Sequence, residues 1–179
     1  FNDVPGLVNN KALISNHLKS KYPNLSEVEV SNKVLSFVSV KNSDLYYFKN
    51  GNDFWNVMVF IDDSITHEIV KDKEIAYEGG KLLGEFLNGT SDFDSSQLID
   101  VIPNFHDMSF RFSQYASSLQ SASKERLKKA EKYTKIVRDL KEDMHILQTL
   151  KEAGEIPVRV THNDTKISNS LFTLDNKGI

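Results

Sequence analysis

The sequence has 179 residues, 26% charged and 39% hydrophobic, with a formal net charge of -3, the ordinary mixture of a folded protein with one sizeable core or two small lobes. The slight negative charge argues against a general nucleic-acid-binding surface, and the lack of cysteine in this sequence excludes disulfides, cysteine nucleophiles and thiolate metal sites. No apolar run reaches membrane-spanning length and no secretory signal pattern opens the chain, so we expect a cytoplasmic protein with no membrane partner.

The first predicted element is a helix near the start of the chain. Asp3 can cap it, Pro5 suits its first turn, and apolar residues recur at helical spacing up to about Lys21. Pro23 then stops the pattern. We expect an amphipathic helix whose packing face includes Leu7, Ile14 and Leu18.

Three strands are predicted after this helix, at 34–40, 45–48 and 54–61. A polar turn separates the first two, and Asn50-Gly51 is a strong turn signal before the third. The sequence predicts that residues 34–61 form one antiparallel sheet leading directly into the next helix.

The next helix is predicted over residues 73–88, with Gly89 ending it. Gly80 and Gly84 lie one turn apart within it. Because glycine inside a helix costs roughly 1 kcal/mol relative to alanine, we expect another part of the chain to approach the helix closely at these two glycines.

Two further helices are predicted in the second half. Asp107 is expected to cap a helix over 108–119, with Arg111 one turn later as its ion-pair partner. Residues 123–152 are predicted to form the longest helix, because its apolar residues alternate by four and three positions. We interpret its charged faces as solvated surface rather than as a phosphate or nucleic-acid site.

The chemically most informative stretch is 158–172, which reads as an apolar run, a polar turn and a second apolar run. At its centre His162 and Asp164 form a His-x-Asp pattern, with Asn169 five residues after the aspartate. In kinases with this spacing the aspartate orients or deprotonates the acceptor hydroxyl, and the asparagine holds a magnesium ion. Lys166 suits the role of a cation that neutralises the moving phosphoryl group, and His162 suits that of a brace for the loop. The same residues also occur in plain polar turns, so the spacing alone leaves both interpretations open.

The residue types in the loop provide information beyond the spacing of His162, Asp164 and Asn169. Thr161-His162-Asn163-Asp164-Thr165-Lys166 resembles the catalytic loop of the aminoglycoside-phosphotransferase-like small-molecule kinases, and within them it is most similar to the N-acetylhexosamine 1-kinases. Thr165 stands where many relatives of the aminoglycoside and choline type carry leucine. Three other stretches resemble the hexosamine branch: Phe1-Asn2-Asp3, Ala76 to Gly80 with Gly84-Glu85-Phe86, and Ile102 to Asp107.

The resemblance implies a partial kinase-like α+β fold. Residues 1–61 would be the remnant of an antiparallel-sheet N-terminal lobe, and residues 62–179 part of a helical C-terminal lobe with a catalytic loop at 160–170. It also implies ATP and Mg²⁺ as cofactors, Asp164 and Lys166 as catalytic residues, Asn169 as metal ligand, and His162 as loop support. The resemblance places a nucleotide-binding hinge at Phe60, Ile61 and Asp62, and substrate contacts at Phe105 and His106.

The implied activity is ATP-dependent phosphoryl transfer to a small-molecule hydroxyl, with an amino sugar as the favoured acceptor. The alternatives are a kinase for choline, homoserine or an aminoglycoside, and a kinase-like binding module without catalysis. The glycine-rich loop, strand lysine and second metal-binding aspartate of such kinases are not found in these residues. We therefore expect the sequence to be an internal fragment that is inactive alone, and the activity to belong to its parent protein. The sequence does not predict an oligomeric state.

Overall fold

The computed structural model describes residues 3–179, which form six α-helices and two small antiparallel sheets, so the chain has the predicted α+β class. Phe1 and Asn2, which open one of the resembling stretches, lie outside the described residues. Between residues 3 and 179 no helix is long and apolar enough to cross a membrane.

The helices are α1 (Val4–Lys19), α2 (Glu27–Ser31), α3 (Lys73–Gly89), α4 (Met108–Ser121), α5 (Lys124–Asp139) and α6 (Lys141–Glu152), and the strands are β1 (Phe48–Asn50), β2 (Asp53–Trp55), β3 (Ser64–Ile65) and β4 (Phe172–Thr173).

The chain divides into two compact units. The first contains the described residues up to Val101 together with Arg159–Ile179, and the second is Ile102–Val158. The loop predicted at 160–170 therefore lies in the first unit, together with α1, α3 and both sheets. The division into lobes at residue 61 refers to a complete kinase-like fold and stays a prediction.

Helices α1 and α3 form where the sequence predicts them, and each begins at an aspartate. The Asp3 carboxylate accepts the Gly6 N–H at 2.8 Å, and the Asp72 carboxylate accepts two backbone N–H groups at 2.9 Å. Such caps satisfy donors that the first turn of a helix leaves unpaired. The short helix α2 was not predicted, although Ser26 and Glu29 form the reciprocal capping box that marks a helix start.

The predicted sheet over residues 34–61 is only partly present. Its regular strands are β1 and β2, a hairpin in which Asn50 pairs with Asp53 and Gly51-Asn52 forms the turn, one residue later than the predicted Asn50-Gly51. Residues 36–38 join 57–59 through a single bridge and two hydrogen bonds. Strands gain stability from burial of one face, but Phe48 and Trp55 are 57% and 64% exposed. The sheet also does not lead directly into α3, because β3 comes first and pairs with β4.

The predicted long helix over residues 123–152 is wrong, because the second unit breaks it at Leu140 into α5 and α6. Leu140 has φ −97° and ψ 8°, outside helical values, and neither glycine nor proline marks the break. Helix α6 then contacts α4: the Gln148 side-chain oxygen accepts the Met108 N–H at 2.7 Å, and the rings of Phe112 and His145 lie 4.8 Å apart.

Candidate functional site

Buried residues hold both ends of the loop. Val160, its first residue, is buried, and Phe172, two residues after its end, has no exposed surface. Phe172 opens β4 and lies opposite Ile65 of β3, so the end of the loop is fixed in a small sheet. Residues 161–166 and Asn169 are exposed, while Ser168 and Ser170 are half-buried. The loop is therefore an accessible polar segment on a packed base.

Asn169 and Asp164 are directly hydrogen-bonded. The side-chain NH₂ of Asn169 donates to the backbone oxygen of Asp164 and to its carboxylate Oδ2, both at 2.8 Å. A single turn of 3₁₀-helix at Ile167–Asn169 brings the two residues together, closed by the Asn169 N–H donating to the Lys166 carbonyl oxygen at 3.0 Å. Because both side-chain bonds use the NH₂ group, the amide oxygen stays available as a hard metal ligand.

Lys166 approaches the same carboxylate oxygen, with its Nζ 3.4 Å from Asp164 Oδ2. Neither of these two contacts uses Oδ1 of Asp164. The hydrogen bond from Asn169 is the main cause that lowers the pKa of Asp164 below its ordinary value, partial desolvation opposes it, and Lys166 and the charge of His162 lower the pKa further. At neutral pH Asp164 is thus an ionised, weakly basic acceptor suited to hold a hydroxyl in place.

His162 and Asn163 shape the turn before Asp164. The His162 ring lies edge-to-face with Phe86 of α3, with ring centres 6.0 Å apart, which supports its interpretation as a brace. Asn163 has φ 65° and its side-chain oxygen accepts the Thr161 hydroxyl at 2.6 Å. Asparagine tolerates this left-handed conformation better than most residues, so its place here has a structural reason that the sequence analysis did not identify.

The close approach predicted at Gly80 and Gly84 occurs instead at Gly79. A Cβ atom built on Gly80 or Gly84 would meet nothing within 4 Å, whereas one on Gly79 would lie 2.6 Å from the Cδ1 atom of Ile167 and 3.8 Å from Phe172. Gly79 lies on the half-buried face of α3 and the other two glycines are exposed. Of these three glycines, Gly79 is the one at which an added Cβ would meet the loop, at the end of the Ile167 side chain.

Glu78 is a buried acid that the sequence analysis did not single out. Its side chain is 8% exposed and accepts the Gly178 N–H at 3.3 Å and the Lys177 ammonium at 3.4 Å. The Gly178 hydrogen bond is the main cause that holds the pKa of Glu78 below its ordinary value, against the effect of burial. The sequence signal that could have identified Glu78 is its position one turn after Ile75, on the same face of the predicted helix, and the structure shows that Ile75 is buried.

The predicted hinge residues lie between the first sheet and β3. Ile61 is buried and its carbonyl oxygen accepts the Ser64 hydroxyl at 2.7 Å, while Phe60 is 79% exposed. The pairing of β3 with β4 places the segment after the hinge beside the segment after the loop. A nucleotide contact at Phe60, Ile61 and Asp62 stays a prediction.

Phe105 and His106 belong to the second unit, and their assignment as substrate contacts stays a prediction. Their rings lie 4.3 Å apart. Asp107 caps α4 through the Phe110 N–H at 2.7 Å, as predicted. The predicted ion pair with Arg111 is replaced by another contact, since the Arg111 guanidinium donates two bonds to the Phe105 carbonyl oxygen, at 2.7 and 3.1 Å.

Compared with models of known protein families, the sequence matches none of them. Within residues 3–179 no group of three or more histidine or acidic side chains is arranged to hold a metal ion. In the loop, Asn169 offers an exposed amide oxygen. Such a hard ligand suits magnesium when most of its other ligands are water or phosphate.

Proposed function

We propose that the full-length protein is an ATP-dependent phosphotransferase acting on a small-molecule hydroxyl, with the kinase-like fold that the loop resembles and a cytoplasmic location. The observation that carries the proposal is the bonded pair of Asp164 and Asn169. Asp164 offers an accessible carboxylate that can accept a hydroxyl proton. Asn169 binds this residue through its NH₂ group, so its amide oxygen stays available as a hard metal ligand. A plain polar turn does not require this combination.

The carboxylate of Asp164 has the central role in the proposed reaction. With Oδ2 engaged by Asn169 and Lys166, Oδ1 accepts the hydrogen of the acceptor hydroxyl and holds its oxygen in line with the γ-phosphorus of ATP. The hydroxyl oxygen forms the new P–O bond, the bond from the γ-phosphorus to the bridging oxygen of ADP breaks, and Asp164 takes the proton. Its lowered pKa suits a transition state in which positioning matters more than strong base catalysis.

Two other residues of the loop assist this chemistry. Lys166 is 60% exposed, so its flexible chain can leave Asp164 and neutralise charge on the transferred phosphoryl group. The amide oxygen of Asn169 would hold magnesium, which supplies charge neutralisation on the phosphates when bound. The hydrogen bonds from the NH₂ of Asn169 fix that oxygen relative to Asp164.

We propose an N-acetylhexosamine as the acceptor, phosphorylated at its anomeric hydroxyl to give a sugar 1-phosphate. The support comes from Thr161 to Lys166, and above all from Thr165, whose exposed place after Asp164 is held by leucine in many kinases of the aminoglycoside and choline type. Phe105 and His106 are the proposed sugar contacts, and the hinge at Phe60, Ile61 and Asp62 the proposed adenine contact.

A phosphorylation assay across acceptors tests this function. The full-length protein is incubated with ATP, Mg²⁺ and, separately, N-acetylglucosamine, N-acetylgalactosamine, choline, homoserine and kanamycin, and ADP release is followed with phosphorus-31 NMR of the product. We expect preferred turnover of a hexosamine and a sugar 1-phosphate signal. Preference for one of the other three would overturn the acceptor, and no transfer to any acceptor would favour a binding module.

A further inference from the structure

The dipeptide Asn-Gly occurs twice in the sequence, as Asn50-Gly51 and as Asn88-Gly89. In this dipeptide the asparagine side chain lies next to a backbone nitrogen that no following side chain shields. The nitrogen can attack the carbon of the side-chain amide, which makes such an asparagine chemically labile. The ring that forms needs a flexible backbone and a free N–H, so the structural setting of each pair decides whether it reacts.

The first pair, Asn50-Gly51, lies where β1 enters the turn of the hairpin. Both residues are exposed, Gly51 has φ 59°, and a Cβ atom built on Gly51 would meet nothing within 4 Å. Within residues 3–179 the Gly51 N–H donates to no backbone acceptor. The strands are three residues long and form a two-stranded sheet. Because such a hairpin is only marginally stable, local opening gives the backbone the freedom that the reaction needs.

The second pair, Asn88-Gly89, is held in the last turn of α3. A Cβ atom on Gly89 would lie 2.8 Å from the Cδ2 atom of Leu18, so a side chain of α1 covers this glycine. The Asn88 carbonyl oxygen accepts the N–H of Ser91 at 3.2 Å and its hydroxyl at 2.7 Å, and the next residue, Thr90, is 2% exposed. The ring therefore cannot close at Asn88 without unwinding the end of the helix.

We propose that Asn50 is a site of spontaneous deamidation and that Asn88 is protected from it by the fold. The backbone nitrogen of Gly51 loses its proton and bonds to Cγ of Asn50, the Cγ–Nδ2 bond breaks, and Nδ2 leaves as ammonia. Water then opens the cyclic imide. Cleavage of the new N–Cγ bond gives aspartate at position 50, and cleavage at the backbone carbonyl gives isoaspartate. The balance is one amide and one water converted to one acid and one ammonia.

The modification acts on the hairpin because Asn50 lies directly opposite Asp53 of β2. Either product places a carboxylate opposite that of Asp53, and like charges directly opposite each other destabilise a strand pair. Isoaspartate also adds a carbon to the main chain before Gly51, which disturbs the pairing register. Deamidation therefore loosens the β1–β2 hairpin as the protein ages.

Peptide mapping by mass spectrometry after incubation of the full-length protein at mildly alkaline pH tests the site. The peptide that contains Asn50 should gain the mass of an amide-to-acid conversion and yield both aspartate and isoaspartate, while the Asn88 peptide stays unchanged. Incubation in concentrated urea removes the structural difference, so both peptides should then convert at similar rates. Asn50→Gln should stop conversion at this position, because its longer side chain would have to close a larger ring.

Equal conversion of Asn50 and Asn88 in the folded protein would overturn the proposal. So would an unchanged Asn50 in the folded protein while the urea sample reacts.

Hydrogen exchange of the hairpin amides tests the consequence. Asn50→Asp carries the charge of the product and should exchange about two- to fivefold faster in β1 and β2 than wild type, the size of a cross-strand charge effect. Asn50→Gln is the matched control and should exchange like wild type. Equal exchange in Asn50→Asp and wild type would show that the added charge does not loosen the hairpin.

Discussion

At the scale of single residues, the amide group of Asn169 has an observed contact and a proposed role. Its NH₂ donates hydrogen bonds to Asp164, and we propose that its oxygen holds magnesium. We predict that Asn169→Ala raises the Mg²⁺ concentration needed for half-maximal activity by about tenfold or more, because loss even of groups that only support a metal ligand costs about 10- to 100-fold in affinity. Titration of initial rates with Mg²⁺ at saturating ATP measures this.

Asp164→Asn is the matched comparison for that titration, because it changes the neighbouring side chain and leaves the amide oxygen of Asn169 in the chain. It should keep a nearly normal Mg²⁺ requirement while losing turnover. An Asn169→Ala protein that needs no more Mg²⁺ than wild type would remove Asn169 from the metal site.

The spacing of Asp164 and Asn169 in one loop follows from the sequence, whereas their hydrogen bonds and the packing beneath them do not. The two residues are five positions apart, so a short turn such as the 3₁₀ turn at Ile167–Asn169 can bring them together. The approach of Ile167 to Gly79 joins distant parts of the chain, and the glycine pattern alone pointed to Gly80 and Gly84 instead. Which glycine meets a neighbour depends on the rotation of α3 against the loop, a tertiary property.

At the scale of secondary-structure elements, Glu78 ties α3 to the chain that follows β4. Its carboxylate accepts the Gly178 N–H, and its pKa lies below the ordinary value of 4.5 in the folded state. Because the pKa of Glu78 is lowered in the folded state, its ionised carboxylate stabilises the fold fully above about pH 4.5. This stabilisation is lost as the pH falls through the pKa of the folded state. We predict that Glu78→Gln is less stable than wild type at neutral pH and that this difference shrinks below pH 4.5.

Urea unfolding of both proteins across this pH range measures the difference in free energy. Glu85→Gln on the same helix is the control, since Glu85 is 59% exposed and its change should stay within about 0.5 kcal/mol. A difference between wild type and Glu78→Gln that does not vary with pH would mean that the charge of Glu78 does not stabilise the fold.

Helix ends were predictable where a side chain marks them. Asp3 and Asp107 cap α1 and α4 as expected, because a short acidic side chain in front of an apolar pattern has one common use. The break at Leu140 carries no glycine or proline. The sequence signal for this break is weaker. Arg138 lies in the last turn of α5 and Glu142 in the first turn of α6, and helix dipoles favour a basic residue where a helix ends and an acidic one where a helix begins.

At the scale of the whole molecule, the α+β class was predictable and the extent of the first sheet was not. The local Asn50-Gly51 signal places the turn to within one residue of Gly51-Asn52, whereas the predicted strand at 45–48 shares only Phe48 with β1. Strand length depends on what covers the sheet, and Phe48 and Trp55 remain largely exposed. The pairing of β3 with β4 has no local signal, because it joins residues far apart in the chain.

The central claim is that Asp164 receives the acceptor hydroxyl in a phosphoryl-transfer site. The most direct test is kcat of the full-length protein with ATP, Mg²⁺ and the acceptor that it turns over best, for wild type and Asp164→Asn, with ATP affinity measured in parallel. Asp139→Asn, which alters an exposed acid of the second unit, is the control. We predict a fall in kcat of about 10²–10⁴-fold for Asp164→Asn with ATP affinity nearly unchanged, the contribution of a positioned acid–base group. Near-wild-type turnover by Asp164→Asn would contradict the claim.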